Sequence, residues 1–600
     1  MSFHAWHCNL LLVAFLLLRI CSAVQPPIPT DPSEQVLLSA DGGGGSENTN
    51  AKVSVTCTLP AAANCTLVHG SFVDGATVHA TFKPVPIGPD GLQVSSGTSG
   101  FATLEVVVKT TFSSSSGGSS SSAGSYSDAR LRKAAFAAGF AEGLLTAPVI
   151  PAFFYNDVPF GHDGPSEGVL SYVKTSINWI RDKCKSRRST DDYWRAVGLV
   201  LDRFDGIVAG YSLGQSTTPG LQALDALDFL WLNLNGDLFD LIPGLSPGGG
   251  SSGSFVQVGR SWLRSASADA RPKMTQQKGS FAHCSGLIRL SDDLKELFFG
   301  HSTWDTYATS APRIYKYVTL PWKQGGQVVF RTQGYASSPG FLGSIDDWYT
   351  LQDVSSDGAQ LVVMETSSSM DDRSAYAHLT PSSVFCWIRA LVANGLATDA
   401  PSWPVTFSKE KSGTYNAQWL VLDVRKFVPG SPLPSDSLWV AEEVPGLVHA
   451  EDQTAALNSK KYFASYNDFM YSDTRKVAGI STRAPDPREA SFLKLHGLVK
   501  SVADLQRVMG WSARAPLGGI QSGAIALRGD LLTPPSFSGA IDSKVSSATL
   551  LRRSLTSLAR AGPSPDDGGP FCWPEDAKTR HKQHPACFDS RWDTFASSLA

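Results

Sequence analysis

Three kinds of apolar run organise this 600-residue chain. The first is an unbroken block over residues 10–18, followed by the small residues Cys21, Ser22 and Ala23. That arrangement predicts a secretory signal cut after Ala23 (residues 1–23). The block is too short to span a bilayer comfortably as a helix, and no later stretch reaches the necessary apolar length. A lumenal or secreted product without a transmembrane segment is expected.

The second kind has helical spacing. Residues 193–204 and 221–234 read as helices, as does 129–145, whose many small residues allow close packing. Residues 177–185 and 384–396 are helix-like as well. The third kind begins only after Cys284, as short strand-like runs at 285–290, 295–300, 327–332, 360–365 and 417–424. Strands clustered in the centre with helices around them predict an α+β protein layered about one core. Residues 244–283 separate an N-terminal fragment (24–243) from a C-terminal fragment (284–600) of what reads as one domain. They are poor in apolar residues and rich in Gly and Ser, the composition of a processing linker. Two further Gly/Ser-rich stretches, 41–46 and 113–125, read as surface loops. There is no internal repeat.

The formal net charge of −3 comes without a basic stripe, which argues against a nucleic-acid partner. Of nine cysteines, Cys8 and Cys21 leave with the signal. An odd number then remains, so at least one thiol is unpaired in an oxidising compartment. Cys57 with Cys65 and Cys572 with Cys587 are the expected local disulfides. Cys184 and Cys386 lie in helix-like segments, either paired or simply buried. Asn64-Cys65-Thr66 is a glycosylation sequon, which marks an exposed loop if it is used. Neither a metal nor a cofactor is expected.

Cys284 carries the most chemistry. It stands where the linker gives way to the first strand-like run. A cut immediately before it would leave a residue with both a thiol and a free α-amine, nucleophile and base in one. The other reading is a small buried hydrophobe, the usual fate of a lone cysteine. A competing motif is Gly210-Tyr211-Ser212-Leu213-Gly214, the G-x-S-x-G of serine hydrolases. That elbow needs a strand before the serine and a helix after it. Here 206–209 follows a helix directly and 215–220 has loop composition, so Ser212 lacks the context.

Cys284 also belongs to a longer pattern. Cys284-Ser285-Gly286-Leu287-Ile288, Gly300-His301-Ser302-Thr303-Trp304 and Ile314-Tyr315-Lys316-Tyr317 are followed by Met364-Glu365-Thr366. Then come Ser412-Gly413-Thr414-Tyr415-Asn416-Ala417-Gln418-Trp419 and Tyr462-Phe463-Ala464-Ser465-Tyr466-Asn467. Upstream stand Gly139-Phe140-Ala141-Glu142-Gly143-Leu144-Leu145-Thr146 and Leu234-Asn235-Gly236-Asp237-Leu238. From about residue 129 onward this set resembles the phospholipase B-like family.

The resemblance implies a lysosomal N-terminal-nucleophile hydrolase with a four-layer αββα sandwich, cut just before the nucleophile into fragments that stay together non-covalently. Carried over residue by residue, Cys284 is the nucleophile, His301 and Trp304 line the site, and Thr366 contacts it. Asn467 supplies an oxyanion donor, and Arg488 completes the set. Ser302 stands where Asn is commoner in the family. The implied reaction transfers an acyl group to Cys284 as a thioester and then to water. Lipid esters and acyl amides remain open as substrates. So does a non-catalytic lysosomal glycoprotein whose self-cleavage is maturation only.

Overall fold

The protein is described by a computed structural model covering residues 76–85, 93, 97–110, 127–245, 284–512 and 523–599. Positions 159, 162–163, 346, 356–357, 359, 483, 567 and 575–580 are excepted, and three earlier strands are described by backbone alone. The signal, nearly all of loop 41–46, loop 113–125 and the linker from residue 246 lie outside these residues. So do the side chains of Cys57, Asn64 and Cys65.

Strands β1 (Gln35–Asp41), β2 (Asn50–Thr58), β3 (Asn64–Phe72), β4 (Ala76–Lys83) and β5 (Phe101–Thr110) come first. Helices α1 (Asp128–Thr146), α2 (Ile150–Asp157), α3 (Glu167–Arg187), α4 (Asp192–Thr217), α5 (Ala226–Asn233) and α6 (Asn235–Leu245) follow. After Cys284 come β6 (Ser285–Leu290), β7 (Leu297–Thr306), β8 (Arg313–Gln324), β9 (Gln327–Ser337), β10 (Trp348–Asp353) and β11 (Gln360–Ser367). Helices α7 (Cys386–Leu396) and α8 (Ser402–Phe407) lead to β12 (Ala417–Asp423), β13 (Leu438–Val444) and β14 (Leu447–Asp452). The last third holds α9 (Thr454–Lys460), β15 (Tyr462–Ser465), α10 (Ser472–Ala478), α11 (Pro487–Leu495), α12 (Val502–Met509), β16 (Ser538–Ser547) and α13 (Ala548–Ser554). It ends with β17 (Ser557–Ala561), β18 (Phe571–Cys572), β19 (Cys587–Phe588) and β20 (Asp593–Phe595).

These strands form two main sheets. The large one has 12 strands in the order β1-β2-β3-β4-β5-β8-β9-β10-β11-β12-β13-β14, antiparallel except where β5 meets β8. The small one has six, β15-β6-β7-β16-β17-β20. Side chains alternate between the two faces of a strand, and the core follows that period. On β11, Leu361 and Val363 join the helix-side cluster, while Val362 and Met364 face the small sheet. On β6, Ile288 and Leu290 face the large sheet, while Leu287 packs with Phe492 of α11 and Val508 of α12. Both sheets are thus covered on both faces, an α+β arrangement. Among the described residues no single helix is long and apolar enough to cross a membrane.

Helices α1 and α4 meet through glycines. A Cβ on Gly139 or Gly143 would lie 2.0 or 2.1 Å from the Arg203 or Ile207 carbonyl oxygen. A Cβ on Gly206 or Gly210 would strike the Phe136 or Phe140 oxygen at the same range, 2.0 and 2.1 Å. Each glycine costs a helix about 1 kcal/mol, which this backbone contact offsets. The same helices hold a buried charge cluster. Glu142 accepts from Lys316 of β8 at 2.7 Å and from Arg203 of α4 at 2.6 Å.

Several sequence expectations need correction. The helix read as 193–204 runs to Thr217, so Ser212 sits exposed within the last turns of α4 and no strand-to-helix elbow exists there. Gly210 of that motif is a packing residue. The helix read over 221–234 is two helices, α5 and α6, joined at Leu234 and starting only at Ala226. Helix α6 continues through Pro243 to Leu245, two residues into the stretch assigned to the linker. The run at 295–300 begins at Leu297 and reaches Thr306, and the run at 327–332 reaches Ser337. Asn64 opens strand β3 rather than sitting within a loop, and the β2–β3 register sets Cys57 opposite Cys65. Cys572 and Cys587 are disulfide-bonded. Cys184 and Cys386 are both free and buried, which settles that alternative against a bond.

Candidate active site

Cys284 immediately precedes β6. Ser285 pairs with Ser302 in the β6–β7 ladder, so Cys284 falls opposite Thr303 at the ladder's end. Its thiol is free, it is 4% exposed, and the Trp304 backbone N–H points at the sulfur. Burial pushes the thiol well up, and a charge on Glu365 would add to this. The Trp304 N–H and Lys544 pull the other way.

Arg488 fixes the residue in place. It stands on α11, whose first turn is capped by Asp486. Its guanidinium donates to Cys284 O at 2.7 Å, Ser285 Oγ at 3.2 Å, Tyr466 O at 2.7 Å and Asn467 Oδ1 at 2.8 Å. It also pairs with Asp486 at 2.9 Å and lies over the Trp304 ring, 4.9 Å from its centroid. The Trp304 indole donates to Ile525 O at 3.0 Å.

Asn467 follows β15 at a φ of 67°, a left-handed conformation that Asn tolerates better than most residues. Its Nδ2 donates to Ser367 O, and its backbone N–H donates to Thr366 Oγ1 at 3.2 Å. Thr366 Oγ1 is also bonded to Ser465 Oγ at 2.6 Å. The carried-over set therefore converges. Arg488 touches both Cys284 and Asn467, Trp304 lies beneath Arg488, and Thr366 supports Asn467.

His301 has a different position. Its ring is fully buried, with Nε2 2.7 Å from Glu365 O and Nδ1 3.4 Å from Thr303 Oγ1. A carbonyl only accepts, so Nε2 carries the hydrogen and Nδ1 is the acceptor. Lys544 Nζ in turn donates to Thr303 Oγ1 at 2.6 Å and to Asp542 Oδ1 at 2.5 Å. Arg313 donates to Asp542 Oδ2 at 2.6 Å. Burial, with the Lys544 charge beside it, pushes His301 down to about 3, so the ring is neutral. Burial alone would raise Asp542, but Lys544 and Arg313 outweigh it and hold the carboxyl below the usual range. Ser302 points to the other face, donating to Met509 O at 2.6 Å.

Sequence reasoning missed Arg313, Asp347, Asp542 and Lys544 as members of this neighbourhood, and Glu365 and Tyr415 entered only as parts of motifs. One signal was present. Ile541-Asp542-Ser543-Lys544-Val545 places two charges inside an otherwise strand-like run, and a charge kept in a buried strand must be paired.

Two sheets closing on a buried, free cysteine at a strand edge, with its carbonyl held by a guanidinium, define an α+β protein built around a candidate thiol nucleophile. The Phospholipase B family model matches residues 107–595. Phospholipase B-like protein B of Dictyostelium discoideum is 30% identical over 518 residues, covering 83% of each chain. Phospholipase B-like 1 of Homo sapiens is 31% identical over 76% of this chain and 79% of its own, and Phospholipase B of Crotalus adamanteus is 30% identical over 76% and 81%. The chain belongs to the phospholipase B family and is a phospholipase B-like hydrolase.

Proposed function

We propose that the protein is an N-terminal-nucleophile hydrolase of the lysosomal lumen or the secreted space. It cuts itself before Cys284 and then cleaves acyl ester or amide bonds of lipid-like substrates. The helix–sheet–sheet–helix packing is read as the αββα sandwich of that class. The observation carrying the proposal is the grip of Arg488 on Cys284 O and Asn467 Oδ1 together.

In the uncut chain the thiol loses its proton and the sulfur attacks the His283 carbonyl carbon. The C–N bond to Cys284 then breaks, and the proton leaves on the new α-amine. Water hydrolyses the thioester, which restores the thiol and leaves a carboxyl on His283. In the cut protein the α-amine takes the thiol proton directly and returns it to the leaving group. Asn467 Nδ2 bears two hydrogens, and the bond to Ser367 O uses one. The other is the donor for a developing oxyanion.

Contacts across the cut support fragments that stay together non-covalently. Glu142 meets Lys316, Asn233 donates to Gly340 O at 3.0 Å, and Asp237 accepts from the Cys386 N–H at 2.9 Å. The deep burial of Cys284 favours a second reading, in which the cut is maturation only and no substrate is turned over.

The test is N-terminal sequencing of native protein, followed by phospholipids and N-acyl amides offered to the cut form. A fragment beginning at Cys284, absent from Cys284→Ala, is expected. An intact native chain refutes the proposal. A cut protein inert on both substrate sets leaves the maturation reading.

A further inference from the structure

The joint between the two sheets falls on Glu365. Its carbonyl accepts from His301 Nε2 at 2.7 Å, and its N–H donates to Asp347 O at 3.1 Å. Trp348 pairs with Met364, so Asp347 stands across the β10–β11 ladder from Glu365. Both residues are buried, at 2% and 0% exposure, and their carboxyls hydrogen-bond each other. Two ionised carboxylates so placed repel, and a bond between them needs a proton.

Tyr415 adds a second constraint. Its hydroxyl oxygen lies 2.6 Å from Glu365 Oε1 and 2.8 Å from Ile345 O. A hydroxyl has one hydrogen and a carbonyl can only accept. The same hydroxyl also reaches the Asp347 carboxyl, so its one hydrogen faces three acceptors. The cluster lacks hydrogens for these contacts unless the carboxyls are protonated. Burial raises both groups in keeping with this, Glu365 to about 8 and Asp347 well above the carboxylate range.

The charged neighbours give the pair a consequence. Lys544 acts on both carboxyls, Asp542 and Arg313 adjoin Lys544, and Cys284 feels any charge on Glu365. While the pair is neutral, Lys544 favours the ionised thiol and Asp542 opposes it, the Lys544 effect being the larger. A charge on Glu365 outweighs Lys544 and holds the proton on sulfur.

Resting on the reading of Cys284 as nucleophile, we propose that Asp347 and Glu365 are positioning residues kept as two neutral acids, which exclude negative charge from beside Cys284 and so set the alkaline limit of its reactivity. A buried carboxyl kept neutral in this way serves as a hydrogen-bond donor rather than as a charge.

The test compares full-length wild type, Glu365→Gln and Glu365→Ala. Glutamine keeps a hydrogen-bond donor and an acceptor at this position but cannot ionise. Infrared absorption of neutral carboxylic acid groups is recorded at about pH 6. Alkylation of Cys284 by iodoacetamide is followed by peptide mass spectrometry from about pH 5 to 10. Wild type is expected to show the neutral-acid band, and Glu365→Gln a weaker one. At about pH 6 the glutamine variant should alkylate within about twofold of wild type. About one and a half pH units above the Glu365 titration it should be about tenfold faster, one pKa unit being a factor of ten. Glu365→Ala should be slow throughout.

Absence of the band with Cys284 still reactive overturns the pair alone. So do identical alkaline profiles in wild type and Glu365→Gln, or a glutamine variant as slow as Glu365→Ala at about pH 6. A wild type that shows the band but is neither cut before Cys284 nor alkylated there removes the nucleophile reading, and this proposal with it.

Discussion

Arg488→Ala perturbs the site most directly. The guanidinium serves Cys284 O, Ser285 Oγ, Tyr466 O and Asn467 Oδ1, and pairs with Asp486. The Asp486 side chain is 26% exposed and is rehydrated when the pair is lost, so that bond contributes about 1 kcal/mol or less. The Cys284 carbonyl and the Asn467 amide are buried, and each orphaned acceptor costs about 1–3 kcal/mol. The sum, about 2–7 kcal/mol, brackets the roughly 3–5 kcal/mol lost when one member leaves a buried charged network. Unfolding entropy of about 2.1 cal/mol/K per residue gives a chain of this length about 1.2 kcal/mol/K, so the melting temperature should fall by only about 3–4 °C. The rate effect is larger, because a shift of about 1 Å in a reacting group costs about 100-fold. Scanning fluorimetry reads the first, and the rate at which the fragment headed by Cys284 appears reads the second. Asp486→Asn is the control, since it keeps the four other bonds and should retain most of the rate. Unaltered cutting by Arg488→Ala, or equal damage from Asp486→Asn, would refute the argument by making Arg488 a helix-capping partner only.

Asn467→Ala in the cut protein should lower kcat by about 100- to 1000-fold, with little change in KM, because the donor is needed most in the transition state. Steady-state kinetics on any substrate the wild type cleaves decides this, and an unchanged kcat makes Asn467 structural. Gly206→Val should prevent α1 and α4 from closing, since its Cβ would lie 2.0 Å from Phe136 O, whereas Gly497→Val meets nothing within 4 Å. Soluble yield and melting temperature should fall for the first and hold for the second. Burial raises the Glu142 carboxyl, but Lys316 and Arg203 outweigh it and hold it below the usual glutamate range. Its stabilisation is therefore full above that range and lost as pH falls through the depressed value. Glu142→Gln should accordingly melt well below wild type at neutral pH and converge on it in acid, and a constant gap across that range would show that the charge is not what matters.

The sequence by itself located helices between residues 128 and 245 and several strands after Cys284, because local periodicity separates the two, but it missed β1–β5, which belong to the large sheet. It marked Cys284, whose position between those helices and strands is a local fact, and it found the disulfide partners Cys572 and Cys587, which lie only 15 residues apart. Family resemblance added Trp304, Thr366, Asn467 and Arg488, and the fold brought them around one cysteine. Tertiary structure decided the rest. Strands β8 and β16 escaped notice because Arg313, Lys316, Asp542 and Lys544 break their apolar pattern, and Arg313 and Lys316 find their partners, Asp542 and Glu142, on other elements. The G-x-S-x-G motif matches locally, yet only the α1–α4 contact shows Gly210 to be a packing residue. Arg488 reaches Cys284 across 204 positions, and Asp347 meets Glu365 only through the β10–β11 register. Protonation of that pair is a property of burial and of a tyrosine with a single hydrogen to give, which no stretch of sequence contains.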